Sequence, residues 1–176
     1  MTSAFVATSP LIRTRSAALA LVAAAQALPW LVHLAHLPGP VLLPMQFAAV
    51  LGGLALGPIP GLLNGLAAPV VSFLLTGLPP AGLVPLMAVE VATYGAVAGG
   101  LARRTEWRGA WIMVATLVAG RLALLPAAAI AGPALGLKAP VVSFVLNAAV
   151  VGWPGIAVQL VVLALAARVL APVDQR

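Results

Sequence analysis

The chain has 176 residues, 63% of them hydrophobic and 7% charged, with a formal charge of +6 and no cysteine. So little polar surface cannot coat a water-soluble globule, and the missing thiols exclude disulfide frameworks and thiolate metal sites. The nine basic residues stand mostly near the chain ends and in one loop. The positive-inside rule of membrane proteins accounts for that distribution, and nucleic-acid binding does not.

An all-α integral membrane protein is therefore expected, and the spans can be taken in order. Residues 1–12 form a short N-terminal tail, after which Arg13 and Arg15 precede a first apolar run from Ser16 to about Leu34. This run exceeds the usual apolar region of a signal peptide and lacks a small-x-small cleavage site at its end, so it reads as an uncleaved span. Ala17, Ala20, Ala24 and Ala27 recur along it at three- and four-residue spacing. They make either a smooth stripe that another membrane helix can approach closely or a by-product of abundant alanine.

The loop His36 to Pro40 leads into a second span, Val41 to Leu56, with Pro44 near its start and Gln46 about 8 Å in from its outer end. A turn at Gly57-Pro58-Ile59-Pro60-Gly61 returns the chain through a short third span, Leu62 to Leu75, which carries Asn64, Pro69 and Ser72. The fourth span, Leu83 to Leu101, is about 28 Å long, contains Glu90, and runs into Arg103, Arg104 and Arg108. The fifth, Ala110 to about Gly132, holds Arg121 in its middle. After a loop with Lys138, the sixth runs from Val141 to about Val169, with a kink expected at Trp153-Pro154-Gly155 and a short tail at 171–176. Residues 13–170 thus make one transmembrane domain.

Orientation follows from the basic residues. Arg13, Arg15, Arg103, Arg104, Arg108, Arg168 and Arg176 fall on one side and Lys138 on the other, which predicts a bundle of six transmembrane helices with both termini cytoplasmic. Residues 68–75 and 139–146 match at seven of eight positions. The proline lies mid-span in one and at the mouth in the other, which favours coincidence over an inverted repeat.

An ionisable group inside a bilayer must face protein, a partner charge or a water-filled cavity. Glu90 and Arg121 each lie about 17 Å from the inner ends of two neighbouring spans, so they are placed to meet. The pair reads either as a lock between helices or as part of a ligand cavity in which Arg121 offers a fork of donors to an anion. Gln46 and Asn147 join them in the outer half, and Tyr94 lies one turn from Glu90 on the same face, with Thr93 nearby. Asn64 and Gln159 belong to the inner half and are assigned to packing. His33 and His36 sit at the outer mouth without the carboxylates or thiolates that would make a metal site, and Trp30 and Trp107 read as interfacial anchors. Catalysis has no motif to rest on: GxSxG, HExxH and a phosphate-binding glycine loop are all missing.

Several stretches in this order resemble the substrate-binding S components of energy-coupling factor (ECF) vitamin transporters. They are the alanine stripe of span one, Leu-Pro-Gly-Pro-Val-Leu-Leu-Pro-Met-Gln (37–46) with Leu-Gly-Gly-Leu-Ala-Leu-Gly-Pro (51–58), Leu-Leu-Thr-Gly-Leu-Pro-Pro (74–80), Glu-Val-Ala-Thr-Tyr-Gly (90–95), Gly120-Arg121 and Pro154 to Gln159. The resemblance covers about Ala17 to Ala167. It implies a non-enzymatic, cofactor-free subunit in a prokaryotic cell membrane. Such a subunit captures a small water-soluble vitamin or precursor from outside under a lid formed by the first external loop. It implies partners as well: a membrane-embedded T subunit, on which the span-one alanines dock, and two ATPase subunits that drive release inside. Position 46 holds glutamine where many relatives carry histidine, and the glycines of the biotin-binding branch are absent after span three. The rival reading is a structural or scaffolding membrane protein in which Glu90 and Arg121 only lock helices.

Overall fold

The computed structural model describes residues 20, 23–24, 26–32, 34–104 and 109–170. The two tails, Arg13, Arg15, Ala17, His33, Trp107, Arg108 and Arg176 lie outside the described residues. Residues 26–32 are helical, as are 20, 23, 24 and 34, and this first stretch is α1. It is followed by α2 (Gly39–Leu42), α3 (Pro44–Leu56), α4 (Pro58–Thr76), a single 3-10 turn at Ala81–Leu83, α5 (Val84–Arg104), α6 (Gly109–Ala131) and α7 (Val141–Leu170). The described residues are otherwise turns and loops, with no strand among them.

Among the described residues, four helical segments, Pro58–Thr76, Ala81–Arg104, Ala110–Ala131 and Val141–Val162, are long and apolar enough to cross a bilayer. Their outward faces carry large bare side chains such as Leu74, Ile130, Trp153 and Val161. A water-soluble monomer does not tolerate that much apolar exterior, whereas lipid does, so the chain is a multi-pass membrane protein.

The second expected span differs from its sequence reading. Instead of one helix over 41–56, the chain breaks at Leu43, which takes a left-handed conformation (φ 51, ψ 47) between α2 and α3. Pro44 lacks an N–H and disfavours a right-handed helical residue before it, so α3 starts afresh there, with the proline where its missing donor costs nothing. The 13 residues of α3 rise about 20 Å, less than the roughly 30 Å of a hydrocarbon core. The turn expected at 57–61 contracts to Gly57 alone (φ 106), because Pro58 and Pro60 fit the first turn of α4 rather than breaking it. Arg103 Nη2 reaches across from α5 to donate to the Leu56 carbonyl at 2.7 Å, satisfying an acceptor at the open end of α3.

Glycines set the spacing of α3, α4 and α5. A side-chain carbon added at Gly61 or Gly95 would run into the backbone of the other helix, and one at Gly53 or Gly99 would meet main-chain atoms as well. Gly65 similarly faces the backbone at Val91 and Ala92. Hydrocarbon supplies no hydrophobic drive between helices, so close main-chain approach of this kind is a main source of helix association in lipid. The signal was present in the sequence as Gly57, Gly61 and Gly65 at four-residue spacing, opposite Gly95 and Gly99, and the sequence reading missed it.

The remaining ties are polar. Asn64 donates to the Ala48 carbonyl at 2.8 Å and accepts from Gln26, which joins α1, α3 and α4. Gln159 donates to the Leu43 carbonyl at 3.0 Å, so α7 holds the α2–α3 break. Both residues pack, as assigned. The matching octapeptides do not occupy equivalent places: Pro69 lies inside α4, whereas Pro140 precedes α7.

Candidate ligand-binding site

Two apolar cores fill the bundle. The larger runs through Met45, Ala48 to Leu51, Tyr94, Ala98, Ile112 and Met113, and the smaller gathers Leu86, Leu124, Ala128 and Val145. Between them lies a cavity of about 380 Å³, within the size range of small-molecule sites. Met45, Val91 and Tyr94 border it from one core and Leu86 and Leu124 from the other, while Leu78, Pro79 and Pro80 of the α4–α5 loop close one side.

All five residues singled out as substrate-binding candidates line this cavity: Gln46 from α3, Glu90 and Tyr94 from α5, Arg121 from α6 and Asn147 from α7. Glu90 and Tyr94 share a face because they are four residues apart on one helix, and the Tyr94 hydroxyl donates to Glu90 Oε1 at 2.5 Å. Arg121 Nη1 sits 2.7 Å from the same oxygen. The equal depth read from the sequence thus brings the two charges into contact. Arg121 Nη2 donates to the Ala148 carbonyl at 3.3 Å, which ties the pair to α7. Gly120 makes the arrangement possible. A carbon added there would overlap the Tyr94 ring, so the glycine lets the ring lie against α6 with its hydroxyl at Glu90.

No family profile, curated protein or solved structure matches this chain. Chemistry alone therefore describes the site. The carboxylate and guanidinium cancel each other's charge, and a neutral hydroxyl completes the cluster. Gln46 is 3% exposed, yet its Nε2 has no hydrogen-bond partner. Among the described residues, three other buried side-chain atoms, Ser72 Oγ, Thr116 Oγ1 and Gln159 Oε1, also lack partners, but none of those residues lines the cavity. Asn147 stands at the exposed edge.

Other candidates fall elsewhere. Thr93 bonds back to the Val89 carbonyl at 2.7 Å and does not line the cavity. His36 is exposed in the turn after α1, and no group of three potential metal ligands occurs among the described residues. Ala20 and Ala24 are exposed on α1 and Ala27 is half-buried, so that face does not pack into the bundle at its N-terminal end. The sequence reading did not single out Leu43, Met87 or Phe144, which also line the cavity. As ordinary apolar residues they carried no signal that would separate them from core.

Proposed function

We propose that the protein is the substrate-binding membrane subunit of an ECF-type importer, capturing a small water-soluble vitamin or precursor from outside for ATP-driven uptake. The observation that supports this reading best is a single cavity that gathers the polar side chains of four helices, one of them a buried amide with an unmet donor. A bundle that needed only mechanical strength gains nothing from leaving that volume unfilled. In this reading α1 and the broken α2–α3 pair cross the membrane beside the four long helices, which makes six crossings with both termini cytoplasmic. The chain is no enzyme, and the exposed alanine face of α1 meets a T subunit that carries two ATPase subunits.

The closed Glu90–Arg121 pair favours the rival, a scaffold whose helices it locks. Mass spectrometry of small molecules released from detergent-purified protein separates the two. Capture predicts one compound in near-equal molar amount, and the scaffold predicts none. Docking is tested apart from binding: Ala20→Trp and Ala24→Trp should stop uptake in cells that carry the partner subunits and leave the copurified compound in place. Reporter fusions at Arg104 and at the C-terminus should both read cytoplasmic, and an external signal at either would overturn the orientation.

A further inference from the structure

The ion pair that marks the site also limits what can enter it. An anion gripped by Arg121 would bring its own charge against Glu90, whose carboxylate lies 2.7 Å from the same guanidinium inside the bundle. A cation held by Glu90 would in turn face the Arg121 guanidinium. Both donors that reach Glu90 land on Oε1, and Arg121 also serves the Ala148 carbonyl. Among the described residues lining the cavity, the fully buried side-chain donor without a partner is uncharged: Nε2 of Gln46, which is 3% exposed. Most of the remaining wall is apolar, including Leu83, Leu86, Met87, Leu124 and Phe144.

We infer that the cavity takes an uncharged ligand bearing an amide on an apolar body, and that Gln46, not Arg121, reads its polar end. An amide complements the Gln46 side chain on both edges, its carbonyl accepting from Nε2 and its N–H returning to the side-chain oxygen. The match survives rotation of the Gln46 amide by half a turn, because the ligand amide can turn with it. Glu90 and Arg121 then act as a closed, neutral wall that rejects carboxylates, since an acid of the same shape would bury an uncompensated charge. This inference rests on the capture reading and makes it more specific.

Phenylacetamide and phenylacetate, equal in shape and different in charge, test it by calorimetry on the full chain in detergent. Wild-type protein should bind the amide at least about tenfold more tightly, because the acid must bury a charge that the amide does not carry. Gln46→Leu should remove most of the amide affinity. Glu90→Gln should invert the preference, because it keeps an acceptor for Tyr94 and frees the Arg121 guanidinium for the acid. Equal or tighter binding of phenylacetate to the wild type overturns the inference, as does failure of both probes to bind at millimolar concentration. Should Glu90→Gln not fold, the wild-type comparison and Gln46→Leu still decide. A copurified carboxylic acid would sink the amide inference and leave capture standing, whereas absence of any copurified compound counts against capture itself.

Discussion

Gly95 and Gly100 lie on one helix and differ in what surrounds them, so a matched pair of alanine substitutions isolates the contribution of close helix approach. In Gly100→Ala the new methyl meets nothing within 4 Å, and the variant gains only the helix preference of alanine over glycine, about 0.8–1.0 kcal/mol. In Gly95→Ala the same gain applies, but the methyl meets the Gly61 carbonyl and lies 2.9 Å from its Cα. These are backbone atoms that cannot swing aside. Overpacking of a filled interior costs about 1–3 kcal/mol, and because the helix preference is common to both variants, the difference between them should equal that cost. For a chain of this size, each kcal/mol moves the unfolding midpoint by about 2–4 °C. Gly95→Ala should therefore melt roughly 2–12 °C below Gly100→Ala in a thermal scan of detergent-purified protein. Midpoints that agree within about 1–2 °C, the equivalent of about 0.5 kcal/mol, would show that α4 and α5 slide apart freely, and the role given to the glycines would fail.

Gly120→Ala should push the Tyr94 ring from its place against α6 and lengthen its 2.5 Å bond to Glu90, costing about 1–3 kcal/mol in the same scan. An unchanged midpoint would mean the ring has room elsewhere. Arg103→Ala removes the donor at the end of α3 and should cost about 1 kcal/mol, and Arg103→Lys should restore part of it; equal loss in both would point to packing of the guanidinium rather than its hydrogen bond. Arg121→Met strands the Glu90 carboxylate and should destabilise by about 3–5 kcal/mol, while adding Glu90→Gln should recover most of that. A double variant as unstable as the single one would show that the pair does not account for the loss.

How much could be read beforehand depended on how local the cause was. The contact between Glu90 and Arg121 was legible because the helical rise is fixed, and equal counts from a shared short loop give equal depth. The start at Pro58 was misplaced because Pro58 and Pro60 were read as a turn, although the first turn of a helix accepts proline. The start at Pro44 was misplaced because that proline was placed inside a span beginning at Val41. The break at Leu43 was legible only in part, through the bias that Pro44 puts on the residue before it. A left-handed leucine is held by Gln159, 116 residues away, and its side chain fits against Gly152. The five candidate polar residues were visible as anomalies in apolar spans, but the empty volume they surround arises from how four helices and a loop fail to meet. No single stretch of sequence encodes that gap.

The glycine contacts among α3, α4 and α5 have a mechanical consequence for the cavity. Side chains yield by changing rotamer, which lets packed helices shift by small steps, but main chain against main chain has no such freedom. The three helices therefore form a stiff block, and Gln46, Glu90 and Tyr94 ride on it at fixed separations. The compliance of the cavity belongs to the opposite wall, where α6 and α7 present Leu124, Phe144 and Val151, side chains that can give way. The polar end of the site is thereby held to a tight tolerance, and the apolar end can adapt to bodies of different width.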